Sequence, residues 1–355
     1  MMKTTAIIVN YFTSNFLPPL LEVLNNDAFI HTIVIADNSN EVVLKKTTEY
    51  FSKVRLLQFE KNVGFGAAIN CVAKKYKADY YLLVNPDTLP EVGLVENLIK
   101  GIEDSDALIA GPRFYWDDEK SFRLPPALGY SWGIQNAMQA ANHTAADAKL
   151  ASFDWSIRHE RFWKETEPFY EPFLSGACLL IKNDTSFFKS GEFFDERFFL
   201  YYEDTDLCMK ALLQNKTMVC VPKAEIVHYW NQSPSEKKGT FMTQSQERFI
   251  EKYYGTILNL SADKNLRSLS ESNITDLGEI TSSSTFEIQN IKEIESYFFE
   301  LGLNSWFVPF AQTDFSKSNF QITEQVWNHL SPGEYFCRIR NTKNQTLKTW
   351  KWKKH

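Results

Sequence analysis

The chain has 355 residues, a formal net charge of −6 at pH 7, and 44% hydrophobic and 23% charged residues. This length predicts one large domain and a smaller one, and the charge argues against wholesale nucleic-acid binding. No apolar run approaches the roughly 18 to 20 residues that span a bilayer, and the N-terminus turns polar too early for a signal peptide. Five scattered cysteines fit neither a disulfide framework nor a zinc site. We therefore expect a cytoplasmic protein with reduced, mostly buried thiols.

Strand and helix patterns alternate over the first hundred residues. Strands that alternate with helical segments of about ten residues indicate βαβ units and a parallel sheet. The predicted fold class is α/β, with a Rossmann-like, mostly parallel sheet flanked by helices. Strands are predicted at 5–9, 32–36, 54–59 and 80–84, and helices at 17–24, 41–51 and 66–76.

The regularity ends after residue 112. Residues 112–172 are rich in aromatic residues, proline and alanine without a clear period, which is typical of a functional irregular segment. Further predicted elements are strands at 177–181 and 218–222 and helices at 205–214 and 241–254.

The composition becomes polar and Ser-rich near residue 260. We predict a first domain at 1–260, a linker at 261–285 and a C-terminal domain at 286–355. Short runs with a period of two indicate that the last domain is a small antiparallel, sandwich-like β domain. Its predicted strands are 286–289, 306–309 and 335–340.

Polar residues follow the first two predicted strands. Asn10 and Tyr11 come after the first strand, and Asp37 ends the second. Since parallel strands end at the same edge of a sheet, ligands of such sheets bind at this edge. Asp37 could accept hydrogen bonds from a nucleobase or a ribose while Tyr11 stacks on the base. The alternative, a helix cap by Asp37, is favoured when this segment is taken alone.

A Gly-rich turn, with Asn62, Gly64 and Gly66, leads into the predicted helix that contains Asn70. Glycine lets a backbone approach a ligand closely, and a helix N-terminus favours anions. The turn lacks the full glycine fingerprint of dinucleotide-binding proteins. A nucleotide-dependent oxidoreductase is therefore disfavoured.

Two acidic motifs carry the strongest chemical signal. Asn85 and Asp87 follow a five-residue apolar strand, where Asp87 could contact Mg²⁺ or Mn²⁺ together with substrate phosphates, or simply cap a turn. Glu203 and Asp204 follow a run of bulky residues. Burial and like charge would raise a carboxylate pKa there, as a general base requires, although an acidic helix cap is narrowly favoured when this segment is taken alone.

The order of these motifs resembles that of the inverting family 2 glycosyltransferases, and more narrowly their rhamnosyltransferase-like branch, which has a GT-A fold. The resemblance extends from about Thr4 to Gln232 and includes Asn85-Pro86-Asp87-Thr88 and Tyr201-Tyr202-Glu203-Asp204. The branch has Asn85 where other members have an aspartate, so one anionic ligand fewer is expected.

The resemblance implies a role for each matched residue. Asp204 would be the general base and Glu203 its orienting neighbour. Ser175 and Gly176 would lie on the acceptor side. Asp87 would contact a divalent cation, Mg²⁺ or Mn²⁺, and His228 would either be a second metal ligand or be structural. The implied nucleotide-sugar site comprises Asn10, Tyr11, Asp37, Asn62, Gly64, Asn70, Asn85 and Asp87.

The implied donor is a nucleoside-diphosphate sugar of the dTDP or UDP type, with rhamnose as a candidate sugar. The acceptor would be a hydroxyl of a saccharide or a lipid-linked glycan in surface polysaccharide synthesis. The alternative is a non-catalytic carbohydrate-binding protein that keeps the fold. The C-terminal domain lies outside the resemblance, and its tryptophans suit either carbohydrate binding, core packing or a homodimer. Its basic tail leaves a peripheral contact at the inner face of the membrane open.

Overall fold

The computed structural model describes residues 2–141, 144–189, 191–230, 232, 237–255, 274–287, 296–316 and 318–355. In these ranges the α-helices are α1 (Leu17–Asn26), α2 (Val43–Glu49), α3 (Phe65–Lys75), α4 (Leu94–Ser105), α5 (Trp132–Ala141), α6 (Ala145–Lys164), α7 (Glu203–Leu213), α8 (Lys238–Tyr254) and α9 (Glu324–His329).

The strands of the same ranges are β1 (Thr4–Asn10), β2 (Thr32–Asp37), β3 (Val54–Gln58), β4 (Tyr80–Val84), β5 (Thr88–Pro90), β6 (Ile109–Tyr115), β7 (Phe169–Tyr170), β8 (Cys178–Lys182), β9 (Met218–His228), β10 (Ile274–Ile280), β11 (Thr285–Glu287), β12 (Tyr297–Gly302), β13 (Phe310–Phe315), β14 (Asn319–Gln321), β15 (Gly333–Asn341) and β16 (Thr346–Lys354).

The chain divides into two compact units that interleave along the sequence. Unit 1 comprises residues 1–113, 165–228 and 232–261, and unit 2 comprises residues 114–164, 229–231 and 262–355. The C-terminal strands therefore share a unit with the segment that contains α5 and α6. Among the described residues, no helix is long and apolar enough to cross a membrane.

Unit 1 is built on a large mixed sheet, which confirms the predicted α/β class. The order β3-β2-β1-β4-β8-β6-β9-β5 runs across the sheet, and β7 pairs with β9. Strands β3, β2, β1 and β4 are parallel. The later strands are not, since β8 pairs antiparallel with β4 and β5 pairs antiparallel with β9.

The core of unit 1 lies between this sheet and its helices. Strand β4 is buried at all five residues, as its unbroken apolar run predicts. Helices α1, α3 and α4 each present a buried apolar face at intervals of three or four residues, the spacing of one side of a helix. The sheet edge that carries the polar residues is fixed by this packing.

Unit 2 contains a five-stranded sheet in the order β10-β16-β15-β12-β13 and a two-stranded ribbon of β11 and β14. The ribbon packs on one face of the sheet, because Phe299 contacts Phe286 and Phe320 at ring-centroid distances of 5.1 and 4.3 Å. The pairs β12-β13, β12-β15 and β15-β16 are antiparallel, as predicted for residues 286–355, whereas β10, which lies before that range, pairs parallel with β16.

Helix α6 covers the other face of this sheet through buried charged groups. Glu300 accepts hydrogen bonds from Arg338 Nε at 2.6 Å and contacts Arg340 Nε at 3.1 Å. The two guanidinium groups also donate to the hydroxyls of Ser152 and Ser156 on α6. Pairing with Glu300 and hydrogen bonds to α6 offset part of the cost of burying these charges.

The tryptophans of the C-terminal segment form the core rather than an exposed sugar platform. Trp327, Trp350 and Trp352 are all buried. Trp352 stacks against Trp327 and Tyr335 at centroid distances of 5.3 and 4.8 Å. Of the four candidate residues, Trp306 alone is half-buried. The packing interpretation is therefore correct for the other three.

Two element predictions are wrong. Residues 306–309 form a loop because the Asn304 side chain bonds both backbone groups of Val308, at 2.8 Å to its carbonyl oxygen and 3.2 Å from its nitrogen. Residues 112–172 are not irregular throughout, since they contain α5 and α6. Helix α6 buries Trp155 and Phe162 and exposes Leu150, Phe153 and Ile157, so its apolar residues show no single-faced period.

The predicted linker and the first C-terminal strand lie partly outside the described residues. Residues 256–273 and 288–295 are in that group, while β10 falls inside the range predicted as linker. The domain limits drawn from the sequence stay a prediction. All five cysteines are free thiols, four of them buried and Cys71 exposed.

Candidate active site

The ends of β1 and β2 meet at the predicted edge of the sheet. The register pairs Asn10 with Asp37, and Asn10 Nδ2 lies 3.0 Å from Asp37 Oδ1. Asn10 Nδ2 also lies 2.9 Å from Ser39 Oγ and 2.8 Å from Glu41 Oε2. Tyr11 follows directly and is half-buried. The structure thus brings Asn10, Tyr11 and Asp37 together.

Asp37 is an ionised, fully buried carboxylate. Burial raises its pKa, but hydrogen bonds from Asn10, from Ser39 and from Gln58 outweigh burial and leave the pKa below its usual value. Its Oδ2 also accepts from Glu41 N at 3.0 Å. Both oxygens are therefore already engaged by the protein, which agrees with a structural role at the strand end and leaves the nucleoside contact a prediction.

The Gly-rich turn contacts the segment that carries the acidic pair. Gly64 has a φ of +92°, and a Cβ on it would lie 2.7 Å from the carbonyl oxygen of Phe199. A Cβ on Gly66 would lie 2.8 Å from Phe194 Cβ. Both distances are too short for any side chain. Close packing against residues 194–199 therefore requires these two glycines.

Asn70 and Asn62 are engaged by neighbouring backbone. Asn70 Oδ1 accepts from the nitrogens of Phe193 and Phe194 at 3.0 and 3.1 Å, and its Nδ2 donates to the Phe194 carbonyl at 2.9 Å. Asn62 Oδ1 accepts from Gly64 N at 2.9 Å, closing the turn. These contacts hold the loop before the acidic pair in place. Donor binding by Asn62, Gly64 and Asn70 stays a prediction.

Asp87 and His228 lie side by side at the same edge, although 141 positions separate them. The antiparallel pairing of β5 with β9 places Thr88 opposite His228, and 3.6 Å separates Asp87 Oδ1 from His228 Nε2. Burial raises the pKa of Asp87, but the neighbouring His228 and the hydrogen bond from Gln232 N together lower it by more. The pKa is therefore below its usual value. Asp87 is thus a buried carboxylate beside an imidazole.

This pair fits part of a cation site. A carboxylate oxygen and an imidazole nitrogen are ordinary ligands for Mn²⁺, and the carboxylate suits Mg²⁺. No cluster of three or more His, Cys, Asp or Glu side chains that could hold a metal ion occurs in the part of the chain that the structure describes. A cation there would need substrate oxygens and water to complete its shell.

Asp204 lies in the first turn of α7 and contacts Gly176, which lies two residues before β8. Gly176 N donates to Asp204 Oδ2 at 2.9 Å, and Thr205 N donates to Asp204 Oδ1 at 2.7 Å. A Cβ on Gly176 would lie 3.0 Å from Asp204 Cβ. Ser175 is next to this contact, and its Oγ accepts from Ala177 N at 3.3 Å.

Asp204, on α7, is linked by two hydrogen bonds to the end of the strand that precedes Asp87. Asn85 N donates to the Ala177 carbonyl at 2.8 Å, and Gly176, which binds Asp204, immediately precedes Ala177. The strand end that carries Asn85 and Asp87 is therefore joined to Asp204 through residues 176 and 177. The structure thus places Asp87 beside His228 and places Gly176 and Ser175 beside Asp204, and Asn85 joins the two groups through Ala177.

The pKa values of Glu203 and Asp204 are shifted by different surroundings. Burial and the neighbouring Asp204 raise the pKa of Glu203 from 4.5 to about 8. Burial also raises the pKa of Asp204, but hydrogen bonds from Gly176 and Thr205 lower it in part. A pKa of about 8 keeps Glu203 protonated at neutral pH, and the two backbone donors favour the ionised form of Asp204. This difference suits Asp204 to act as a general base.

A model of the family described as Glycosyl transferase family 2 matches residues 5–181. The chain belongs to glycosyltransferase family 2. Membership of this family makes the chain a glycosyltransferase, and the predicted family is confirmed.

Two curated glycosyltransferases are similar to the chain. The rhamnosyltransferase WbbL of Escherichia coli (strain K12) is 26% identical over 235 residues, which cover 63% of this chain and 82% of that protein. The N-acetylglucosaminyl-diphospho-decaprenol L-rhamnosyltransferase of Mycobacterium tuberculosis (strain ATCC 25618 / H37Rv) is 26% identical over 220 residues, covering 56% of this chain and 66% of that protein. Both similarities agree with the rhamnosyltransferase-like branch.

The fold also resembles a solved glycosyltransferase structure. The crystal structure of GalNAc-T7 with UDP, GalNAc and Mn²⁺ matches with a TM-score of 0.51 at 12% identity. The match covers 71% of this chain and 48% of that chain, so this glycosyltransferase spans about half the length of GalNAc-T7. The GT-A fold is thereby confirmed.

Two residues near the family 2 site were not predicted from the sequence. Gln232 N lies 3.4 Å from Asp87 Oδ2, and Lys252 Nζ lies 2.6 Å from Asp206 Oδ1. Asp206, the partner of Lys252, belongs to the acidic motif, so the sequence itself marks Asp206 as a candidate site residue. Lys252 has no such signal, because it is one of many lysines and approaches Asp206 only through the fold.

Proposed function

We propose that this family 2 glycosyltransferase moves a sugar from a nucleoside-diphosphate donor of the dTDP or UDP type to a hydroxyl of a saccharide or glycolipid acceptor, with inversion at the anomeric carbon. Rhamnose is the candidate sugar, because both similar curated proteins are named rhamnosyltransferases. The observation that supports the proposal is that Asp204, which accepts two backbone hydrogen bonds beside a protonated Glu203, is linked through residues 176 and 177 to the strand end that precedes Asp87.

The proposed reaction is a single in-line displacement. Asp204 accepts the proton of the acceptor hydroxyl while that oxygen attacks the anomeric carbon. The new glycosidic bond forms as the bond between the sugar and the diphosphate breaks, and the nucleoside diphosphate leaves with the electron pair. Attack from the face opposite the leaving group inverts the anomeric configuration. Glu203, neutral and adjacent, keeps a second negative charge away from Asp204.

Asp87 and His228 would hold a divalent cation, Mg²⁺ or Mn²⁺, with the donor diphosphate completing its shell. Such a cation neutralises charge that develops on a leaving phosphate. Asn85 adds no charge, so we expect binding of modest affinity that strengthens when nucleotide is present. Asn10, Tyr11, Asp37, Asn62, Gly64 and Asn70 would line the nucleoside side.

The acceptor and the setting are part of the same proposal. The name of the similar mycobacterial protein specifies a lipid diphosphate-linked acceptor. By analogy we infer a saccharide or lipid-linked acceptor in surface polysaccharide synthesis, used at the cytoplasmic side with peripheral contact at the inner face of the membrane. A homodimer stays a prediction.

Two substitutions at the site test the proposal with opposite expected outcomes. With Mn²⁺ present, release of nucleoside diphosphate is measured from dTDP-rhamnose, UDP-glucose and UDP-N-acetylglucosamine, and calorimetry gives the affinity for dTDP and UDP. Asp204→Asn should reduce turnover by about 100-fold or more while sparing nucleotide affinity, because it removes only the base. Asp87→Ala should instead weaken nucleotide binding in the presence of Mn²⁺.

The matched control is Asp104→Asn, which changes an exposed carboxylate on α4 and should alter neither quantity. Full turnover by Asp204→Asn would refute the base assignment. If the unsubstituted chain binds nucleotide or saccharide but releases no diphosphate from any donor or acceptor pair, the non-catalytic carbohydrate-binding alternative is correct.

A further inference from the structure

The turn that leads into Asp204 has an unusual backbone conformation. Tyr201 and Tyr202 have φ values of +69° and +66°, in the left-handed region that favours glycine. Two consecutive bulky residues rarely adopt this conformation, and such strain persists only when the surroundings enforce it. Glu203 and Asp204 follow at once. The direction in which Asp204 leaves this turn therefore depends on what holds the two tyrosines.

Helix α8 supplies contacts to this turn from one side. Ser245 Oγ donates to the Leu200 carbonyl at 2.8 Å. The fully buried ring of Phe249 packs against Tyr202 with a centroid distance of 5.6 Å. Both contacts come from successive turns of the same face of α8. This face therefore binds the residues immediately before the acidic pair.

The C-terminal end of α8 binds the residues immediately after the pair. Asp206 is buried, and its Oδ1 accepts from Lys252 Nζ at 2.6 Å and from Tyr253 Oη at 2.8 Å. Lys252 Nζ also lies 2.9 Å from Asp195 Oδ2. Asp206 N donates to the Tyr202 carbonyl at 2.8 Å, the first helical hydrogen bond of α7, which joins Asp206 to the strained turn. Asp204 lies between these anchored positions.

We propose that Lys252 and Tyr253 are positioning residues for Asp204, acting through Asp206 and the turn at Tyr201 and Tyr202. This role rests on the proposed function, in which Asp204 is the general base. Without the ammonium and the phenol, the Asp206 carboxylate is buried with no cationic or hydroxyl partner at Oδ1. The turn can then relax, and Asp204 moves relative to the acceptor hydroxyl while the Asp87 side of the site is unaffected.

Two variants test this role in the full-length chain. Lys252→Met keeps the length of the side chain and removes the charge, and Tyr253→Phe removes only the hydroxyl. With dTDP-rhamnose and Mn²⁺ we expect kcat to fall by about 10- to 100-fold for Lys252→Met and by less for Tyr253→Phe, because small displacements of a reacting group have effects of this size. KM for the donor and calorimetric affinity for dTDP should stay within about twofold. Lys252→Arg should recover part of kcat.

The matched controls are Lys223→Met and Tyr254→Phe. Lys223 is exposed and pairs with exposed Glu167 at 3.4 Å, and Tyr254 follows Tyr253 directly. Neither control should change kcat. Wild-type kcat in both test variants would overturn the positioning role, as would a loss of kcat that is matched by an equal loss of dTDP affinity, since that pattern indicates general unfolding.

Hydrogen exchange separates this role from the proposed function, because it needs no substrate. Both test variants should exchange amides of residues 200–206 faster than wild type, with no change in β1 and β2. Unchanged exchange at 200–206 would overturn the positioning role even if the wild-type chain proves active. If exchange at 200–206 is faster in the variants but wild type releases diphosphate from no donor, the contacts of α8 with this segment are supported and the proposed function is refuted.

Discussion

At the scale of single residues, the acidic pair shows how two neighbouring buried carboxyl groups differ in the hydrogen bonds that they accept. Glu203 Oε2 has no hydrogen-bond partner among the described residues, whereas both oxygens of Asp204 accept backbone hydrogen bonds. An ionised carboxylate without donors is costly in a buried site, and one with donors is stabilised. The proton therefore stays on Glu203. Neither donor could be predicted from the sequence, because Gly176 reaches Asp204 only through the fold.

The protonation of Glu203 predicts a stability that depends on pH. Its pKa is 4.5 when unfolded and about 8 when folded, so the unfolded chain releases the proton first. The contribution is fully present below pH 4.5 and is lost as the pH rises towards 8, by at most about 1.4 kcal/mol per pH unit. Glu203→Gln, which mimics the protonated form, should therefore unfold at a higher temperature than wild type at pH 8 and at a similar temperature at pH 5.

Thermal unfolding followed by circular dichroism at both pH values checks this prediction. Glu22→Gln changes an exposed carboxylate on α1 and should leave the difference between the two pH values as in wild type. If the unfolding temperatures of Glu203→Gln and wild type differ by the same amount at pH 5 and at pH 8, Glu203 is already ionised at neutral pH.

At the scale of elements, the sequence predicts structure where local patterns suffice. Strands β1 to β4 and helices α1 and α3 follow from apolar runs, helical periodicity and turn residues. Helix α6 was missed because apolar residues lie on its buried and exposed sides alike. The proximity of Asp87 and His228 depends on the register between β5 and β9, which no local pattern determines.

The start of α3 gives the second prediction. Gly66 is the second residue of α3, and a Cβ there would lie 2.8 Å from Phe194 Cβ. Gly66→Ala should displace the loop at residues 193–199 and lower the free energy of unfolding by about 1 to 3 kcal/mol, as overpacking does. Because that loop leads to Asp204, diphosphate release should fall as well. Denaturant unfolding and a turnover assay on the same sample check both effects.

Gly239 provides the matched control for this substitution. It is also the second residue of its helix, α8, but a Cβ on it would meet nothing within 4 Å. Since alanine favours helix over glycine, Gly239→Ala should leave the chain equally or slightly more stable. If Gly66→Ala behaves like Gly239→Ala, close packing against Phe194 is not the reason for glycine at position 66.

At the scale of the whole molecule, one buried group in each unit makes stability depend on pH, and the two groups act in opposite directions. In unit 2, burial and, to a smaller extent, the charges of Arg123 and Arg340 lower the pKa of His159 from 6.5 to about 3. The unfolded chain therefore binds this proton first, so the contribution of His159 is present above pH 6.5 and is lost as the pH falls towards 3. The stability contribution of Glu203 in unit 1 changes with pH in the opposite direction. Between pH 4.5 and 6.5 both contributions are therefore partly lost.

This opposition predicts additive effects of two substitutions. His159→Phe keeps a ring beside Phe310, whose centroid lies 4.7 Å from that of His159, and removes the titrating group. It should raise the unfolding temperature relative to wild type at pH 4.5 more than at pH 8, the reverse of Glu203→Gln.

Because the two residues belong to different compact units and share no partner among the described contacts, the double variant should show the sum of both differences at each pH. Calorimetry of wild type, both single variants and the double variant at pH 4.5, 6 and 8 measures this sum. A departure from additivity at pH 8, where His159 is neutral in both the folded and unfolded chain, would show that the units do not contribute independently to stability.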